Sequence, residues 1–188
     1  SKRGIISFGK QMLQSWFDRL FIGLIFVVSI LGTAVPGTVE AGEPVFWNDT
    51  SSEINLGKHL HYLEDKEGTL GLEDILKPEV ASQFITSEVD VPTFGVTNST
   101  YWFSFSLKNS TAQSLAPIIQ IPWPYLKTIS VYLLKEEGVE KLPRIGHGEP
   151  FANRAIPYHH FLIPIQLESN QELRIVMRAA TDAPFQVP

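Results

Sequence analysis

The chain has 188 residues, no cysteine and a formal net charge of −5. This length suits one domain with a short appendage. Because cysteine is absent, disulfides, thiolate catalysis and cysteine-type zinc sites are excluded.

The first 41 residues differ in kind from the rest. Four basic residues lead into an uncharged run of 16 residues at 20–35. Pro36-Gly37 ends this run, and Val39 and Ala41 place apolar or small side chains where a signal peptidase cuts. We therefore predict a secretory signal peptide at residues 1–41. The alternative is an uncleaved signal anchor, although 16 residues are few for a span that needs ~20 residues.

Under both interpretations the chain is exported from Gly42 onward, so we expect the domain to lie outside the cytoplasm. Cleavage after Ala41 would remove four basic and two acidic residues and leave a net formal charge of −7. An acidic chain without a basic run repels phosphate backbones, which argues against nucleic acid as a partner. Residues 42–53 are predicted to be a linker, and residues 54–188 the domain.

Residues 54–188 contain short alternating segments separated by turns. Residues 100–108 are the clearest case, because Tyr101, Phe103, Phe105 and Leu107 fall on one face of a strand. Strands are predicted at 54–63, 85–91, 100–108, 115–121, 127–134, 139–142, 160–167 and 173–178. Short helical turns are predicted at 69–76 and 79–84, and a long Gly/Pro-rich loop at 143–157. The pattern predicts an all-β fold, a jelly-roll-like β-sandwich with two helical insertions.

Seven landmarks follow one another in a characteristic order. They are Leu60-x-Tyr-Leu-x-Asp65, Leu-Gly-Leu-Glu-Asp-Ile-Leu at 70–76, Asn98 with Trp102, Leu107 and Asn109, Pro122 with Tyr125 and Tyr132, Gly146 with Phe151 and Arg154, Phe161-x-Ile-Pro164, and a final Leu173 to Arg178 strand. In this order they resemble the type-two extracellular sensory domain of bacterial seven-transmembrane receptors with diverse intracellular signalling modules. The resemblance covers residues 54–188.

The resemblance implies a periplasmic domain, similar to carbohydrate-binding modules, that is tethered to the inner membrane. Such a domain normally precedes seven transmembrane helices and a cytoplasmic histidine kinase or diguanylate cyclase. It implies a small-molecule or carbohydrate ligand, contact with the membrane region of the same receptor, no cofactor and no enzymatic activity in this part of the chain. A homodimer is left open. The chain departs from the family at His147, where an acidic residue usually follows the glycine.

The long loop supplies three candidate ligand-binding residues, Arg154, Tyr158 and His147. Long loops carried on a rigid sheet are where binding residues concentrate. The planar guanidinium of Arg154 suits a carboxylate or sugar hydroxyls. The alternative is structural: Arg154 caps loop carbonyls, or it pairs with Glu149 or with an aspartate elsewhere in the chain.

Three aromatic residues complete the set of candidates. Trp123 and Tyr125 flank Pro124, and such a stiff pair can stack on the apolar face of a sugar ring. Trp102 lies on the opposite face of its strand from Tyr101 and is a further platform. The alternative for all three rings is packing in the core, under a loop or between sheets.

Metal binding and catalysis find less support. His59 and His61 are two residues apart, which on a strand places both on one face and permits chelation. A third ligand would have to come from the His147 loop or from Asp65, and no metal is predicted. Carboxylates are plentiful, yet no spacing selects the pair that glycoside hydrolysis needs. We predict no catalytic residue, and the alternatives to a receptor domain are a secreted carbohydrate-binding module and, less favoured, a jelly-roll glycoside hydrolase.

Overall fold

The computed structural model describes residues 42–48 and 53–181, together with the backbone of 184–186. The predicted signal sequence at 1–41 lies outside the described residues, as does part of the predicted linker. No helix among the described residues is long and apolar enough to cross a membrane.

The described residues form eleven strands, two short helices and two 3-10 turns. The strands are β1 Val45–Trp47, β2 His61–Asp65, β3 Ile85–Thr86, β4 Thr93–Val96, β5 Thr100–Asn109, β6 Ile118–Ile121, β7 Leu126–Lys135, β8 Gly138–Lys141, β9 Phe161–Pro164, β10 Glu172–Thr181 and β11 Pro184–Gln186. The helices are α1 Leu72–Ile75 and α2 Pro78–Ala81, and the 3-10 turns are Gly57–His59 and Phe151–Asn153. The expectation of a mostly β chain with two short helical insertions is confirmed.

One large sheet organises the molecule. Its strand order is β3-β2-β5-β10-β7-β8. The short strand β1 pairs in parallel with the C-terminal end of β5, at residues 107–109. The long central strands β5, β10 and β7 are antiparallel. Two further antiparallel pairs, β6–β9 and β4–β11, lie outside this sheet.

The main core lies on one face of β5. Tyr101, Phe103, Phe105 and Leu107 are all buried, as their alternation predicted. They share one cluster with Ile119 and other side chains of the β6–β9 pair, so the two sheets pack face to face. Buried aromatic rings remove large apolar areas from water, and this burial stabilises a small sandwich.

A second core lies on the opposite face of the same sheet. Trp102 and Val176 are fully buried there, beneath the two helices, which contribute Ile75 and Ala81. Pro78 helps to shape this cover, because proline ends one helix and suits the first turn of the next. The large sheet therefore separates two hydrophobic layers, with strands on one side and helices on the other.

Several element boundaries differ from the sequence prediction. The strand predicted at 54–63 begins only at His61, because residues 57–59 form a 3-10 turn in which Gly57 packs against the carbonyl of Asp90. The strand predicted at 85–91 has two residues, and the one at 160–167 ends at Pro164. The prediction that His59 and His61 share a strand face was wrong, since His59 lies in the 3-10 turn.

Candidate functional site

Trp102 lies apart from the other predicted ligand residues. Its side chain is fully buried in the helix-covered core and stacks on Tyr132 with the ring centroids 6.1 Å apart. The ring therefore presents no surface to solvent, in agreement with the alternative of core packing. Its indole Nε1 is buried and has no hydrogen-bond partner among the described residues.

The other predicted residues cluster at one end of the sandwich. β6 ends where β9 begins, because Ile121 pairs with Phe161. Tyr125 is held beside the end of β10, since Thr181 Oγ1 donates to its backbone carbonyl at 3.1 Å. The segment 122–126 and the long loop at 143–160 both meet this end, which we call the loop end.

Trp123 and Tyr125 form a contacting pair at the loop end. Their ring centroids are 5.4 Å apart at an interplanar angle of 69°. Trp123 is half-buried against the main core, whereas Tyr125 is 57% exposed. Tyr125 is therefore the ring of this pair that a solute can reach.

Arg154 is engaged in the structural contacts that its alternative interpretation anticipated. Its guanidinium lies between the rings of Phe151 and Phe161, 4.8 and 4.6 Å from their centroids. One terminal nitrogen donates to the carbonyl of Tyr158 at 2.6 Å, and Nε is buried without a hydrogen-bond partner among the described residues. Glu149 pairs with Arg144 instead of Arg154. Arg154 thus fixes the shape of the loop by stacking and by capping a carbonyl.

Tyr158 begins a short aromatic row on the loop. Its ring is 46% exposed and contacts His159, with the centroids 4.0 Å apart. His160 packs against His159, and its Nδ1 is 2.7 Å from Gln120 Nε2 on β6. The row thus connects the exposed Tyr158 to β6 through two ring contacts and the His160–Gln120 hydrogen bond.

The first half of the long loop is fastened to β7. The backbone N–H of His147 donates to Leu126 at 3.0 Å, and that of Gly148 donates to Lys127 at 3.0 Å. His147 is exposed to solvent. This attachment places His147 at the same end of β7 as Tyr125.

Two cavities open elsewhere among the described residues, and the smaller one reaches the loop end at Ile121 and Pro122. A cavity of about 720 Å³ lies between α2, β3 and the segment that leads into β1, and His61 and Glu172 line its sheet side. A cavity of about 530 Å³ lies beside β6, with Trp47, Ile54 and Met177 among its mainly apolar lining. None of the six predicted ligand residues lines either cavity.

Arg174 is a residue that sequence reasoning did not single out. It lies on the helix-covered face of β10, and burial lowers the pKa of its guanidinium to about 10. The alternation of β10 placed it opposite Leu173 and Ile175, but a residue on the outer face of a strand is normally solvated.

The described residues contain no group of three or more His, Cys, Asp or Glu side chains placed to hold a metal ion. His61 accepts a hydrogen bond on Nε2 from the Gly42 N–H at 2.8 Å, and its Nδ1 is 3.2 Å from Thr86 Oγ1. These contacts hold the N-terminal segment against the sheet. The imidazole is thus part of the framework around the larger cavity.

Comparison with known proteins places this architecture in a family. No curated protein matches the chain. Residues 57–188 match the family described as 7TMR-DISM extracellular 2. This match covers most of the sequence and every described strand from β2 onward. The chain therefore belongs to the 7TMR-DISM extracellular 2 family, the extracellular sensory domains of seven-transmembrane receptors with diverse intracellular signalling modules.

Proposed function

We propose that this chain is the periplasmic, ligand-sensing part of a bacterial receptor and that it binds a small molecule or a carbohydrate. The family supports the setting, because its members are extracellular domains of membrane receptors. In this proposal the cytoplasmic module is a histidine kinase or a diguanylate cyclase. The sandwich is a jelly-roll-like, non-enzymatic binding module exported by the signal segment.

The exposure of aromatic rings at the loop end carries this proposal. Tyr125 is 57% exposed, Phe151 58% and Tyr158 46%. Each ring stands on a segment that the sandwich holds in place through backbone hydrogen bonds or stacking. Stiff rings with polar groups nearby suit sugars, because the apolar face of a sugar packs on the ring while its hydroxyls remain hydrogen-bonded.

The loop end also offers a route from ligand to signal. Thr181, the last residue of β10, is hydrogen-bonded to the backbone of Tyr125. A ligand that prefers one arrangement of Tyr125 therefore biases the segment that follows β10. Such a shift needs only a difference in ligand affinity between two arrangements.

The two alternative functions find less support. A glycoside hydrolase needs two carboxyl groups roughly 5–10 Å apart across the scissile bond. The loop at 143–160 contains one carboxylate, Glu149, and it is paired with Arg144. A secreted carbohydrate-binding module would use the same exposed rings, but the family match favours a membrane receptor.

Calorimetric titration of the chain with neutral saccharides tests the binding role. Replacing Tyr125 or Tyr158 by alanine should weaken saccharide binding roughly threefold to tenfold, because each loses one stacking surface. The panel consists of galactose, glucose, N-acetylglucosamine and short β-linked glucans.

Phe46→Ala is the matched control. Phe46 is a similarly exposed ring, 56%, but it lies on β1 at the opposite end of β5. Its removal should leave saccharide affinity unchanged. Equal affinity in the wild-type chain and both tyrosine variants would show that the loop end is not the binding surface.

A further inference from the structure

β6 has an unpaired edge among the described residues. The strand, Ile118–Ile121, pairs with β9 in a sheet of two strands. Because its partner lies on one side, half of its backbone N–H and C=O groups point away from β9. A strand edge with unpaired backbone groups is a template for pairing with another chain.

The register of the β6–β9 pair identifies the groups at this edge. Ile165 donates its backbone N–H to the carbonyl of Pro117 at 2.9 Å, so these two residues form a hydrogen-bonded pair. In an antiparallel pair such positions recur at every second residue. Ile118 and Gln120 therefore direct their backbone groups away from β9. Pro164 agrees with this register, because it lies opposite Ile118 at a position that needs no N–H.

No other described segment covers this edge of β6. Neither a strand nor a loop among the described residues is hydrogen-bonded to the backbone of Ile118 or Gln120 on the side away from β9. Backbone polar groups in folded proteins are nearly always satisfied by the protein, by water or by a ligand. The N–H and C=O groups of these two residues, which we call the open edge, can therefore pair with a ligand.

The cavity of about 530 Å³ runs along the open edge. All four residues of β6 line it, and no residue of β9 does. Since the side chains of β6 alternate between two faces, a cavity that meets all of them but not β9 lies along the opposite edge. The segment 53–57 forms another wall of the cavity. Its volume is within the roughly 300–1,000 Å³ of typical ligand sites.

The floor of this cavity is apolar. Leu60, Leu107, Ile119 and Met177 line it, belong to the main core and are at most 5% exposed. Glu53 is the one charged residue among the described residues of the lining. The cavity therefore suits apolar side chains and disfavours an acidic ligand.

We propose that an extended peptide with apolar side chains binds along β6 and adds a third strand to the β6–β9 sheet. Its backbone pairs with Ile118 and Gln120, and alternate side chains enter the cavity. In strand addition, main-chain hydrogen bonds supply affinity and pockets for alternate side chains supply specificity. The four residues of β6 span about 13 Å, enough to pair with a peptide of similar length. This peptide site goes beyond the saccharide site proposed at the loop end.

Calorimetric titration of the full 188-residue chain with the peptide Lys-Val-Ile-Val-Lys amide tests the site. The two lysines keep the peptide soluble and suit the charge of Glu53. One comparison peptide has Ser-Thr-Ser in its centre, and the other is N-methylated at its three central residues. The first peptide should bind at least about fivefold more tightly than either, because one lacks apolar side chains and the other lacks backbone donors.

Ile118→Pro and Ile118→Ala are a matched pair of variants. Both shorten or replace a side chain that is 49% exposed, but proline also removes the N–H that faces the peptide. Proline is tolerated where a strand edge has its N–H outside the ladder. Ile118→Pro should therefore bind the peptide about threefold to tenfold more weakly than Ile118→Ala, and heat unfolding of both variants checks their fold.

Hydrogen exchange of the wild-type chain provides a measurement that needs no variant. Saturating peptide should slow exchange at least about tenfold at the amides of Ile118 and Gln120. The amides of Ile119 and Ile121 should change less, because they are already bonded to β9. Protection that alternates along β6 is the signature of an added strand.

The alternative occupants give different results, and each would overturn the inference. Equal affinity for the N-methylated peptide, or equal binding by the two Ile118 variants, would show that the cavity takes apolar groups without strand pairing. Protection of the open edge without peptide would show that the chain covers it, and protection that rises with chain concentration would indicate a second copy. Absence of peptide binding to the wild-type chain would also reject the site.

These results are independent of the loop end. The peptide titration does not involve neutral saccharides at Tyr125 and Tyr158, so failure of the peptide site and failure of the loop-end proposal are distinguishable.

Discussion

The side chain of Asn109, at the end of β5, is fully buried and uses both ends of its amide. Its Nδ2 donates to the carbonyls of Gln113 at 2.7 Å, Glu168 at 2.9 Å and Leu167 at 3.3 Å. Its Oδ1 accepts from the N–H and the hydroxyl of Thr111, both at 2.8 Å. One residue thus ties the turn after β5 to the segment that leads into β10.

Replacing Asn109 by aspartate should lower the free energy of unfolding by at least about 1–3 kcal/mol. Three carbonyl acceptors would lose their donor and face a carboxylate instead. Urea denaturation at neutral pH measures the change. Asn170→Asp is the control, because Asn170 is exposed and its side chain donates to the neighbouring Ser169 hydroxyl. Equal losses in the two variants would show that the Asn109 network contributes little.

A local sequence pattern predicts the surroundings of a residue only within its own strand. Alternation predicted a strand at 100–108, and β5 ends one residue later, at Asn109. The carbonyls that Asn109 holds at 167 and 168 come from a distant part of the chain, and no local pattern reveals them. Likewise, alternation separated Trp102 from Tyr101, but only the helical cover explains why Trp102 is buried as well.

The long loop owes its position to one glycine. Gly146 has a φ of +148°, and a Cβ built there would lie 2.1 Å from the backbone carbonyl oxygen of Lys127. On either side of it, Ile145 bridges to Ile129 and His147 donates to the carbonyl of Leu126. The close approach of loop and strand therefore requires a residue without a side chain.

Gly146→Ala should destabilise the chain more than Gly95→Ala. Both glycines have positive φ, but Gly95 has open space around the Cβ position, so its substitution should cost about 1–2 kcal/mol from backbone conformation alone. Gly146→Ala must in addition move the loop away from β7. Hydrogen exchange should therefore accelerate at the amides of His147 and Gly148. Unchanged exchange at these two amides would contradict this role for Gly146.

Element prediction succeeded where the pattern was long or punctuated. The ten-residue strand β5 and the two helices on either side of Pro78 were anticipated from alternation and proline placement. β1 and β4 were missed, because they have only three and four residues and form by pairing with β5 and β11. Their existence depends on partners far along the chain, which a local pattern does not contain.

At the scale of the described chain, the two faces of the large sheet carry different layers. Its strand-covered face leads to the loop end with Tyr125 and Tyr158, and its helix-covered face holds the partly buried Arg174. Five of the six expected ligand residues lie at the loop end, and their role in binding stays a prediction.

The output rate of the intact receptor tests the sensing role most directly. A saccharide that binds the chain is added on the periplasmic side, and phosphotransfer or cyclic dinucleotide synthesis is measured on the other side. We predict a ligand-dependent change in rate that Tyr125→Ala reduces. An output rate that stays constant at saturating concentrations of a ligand known to bind would contradict a sensing function.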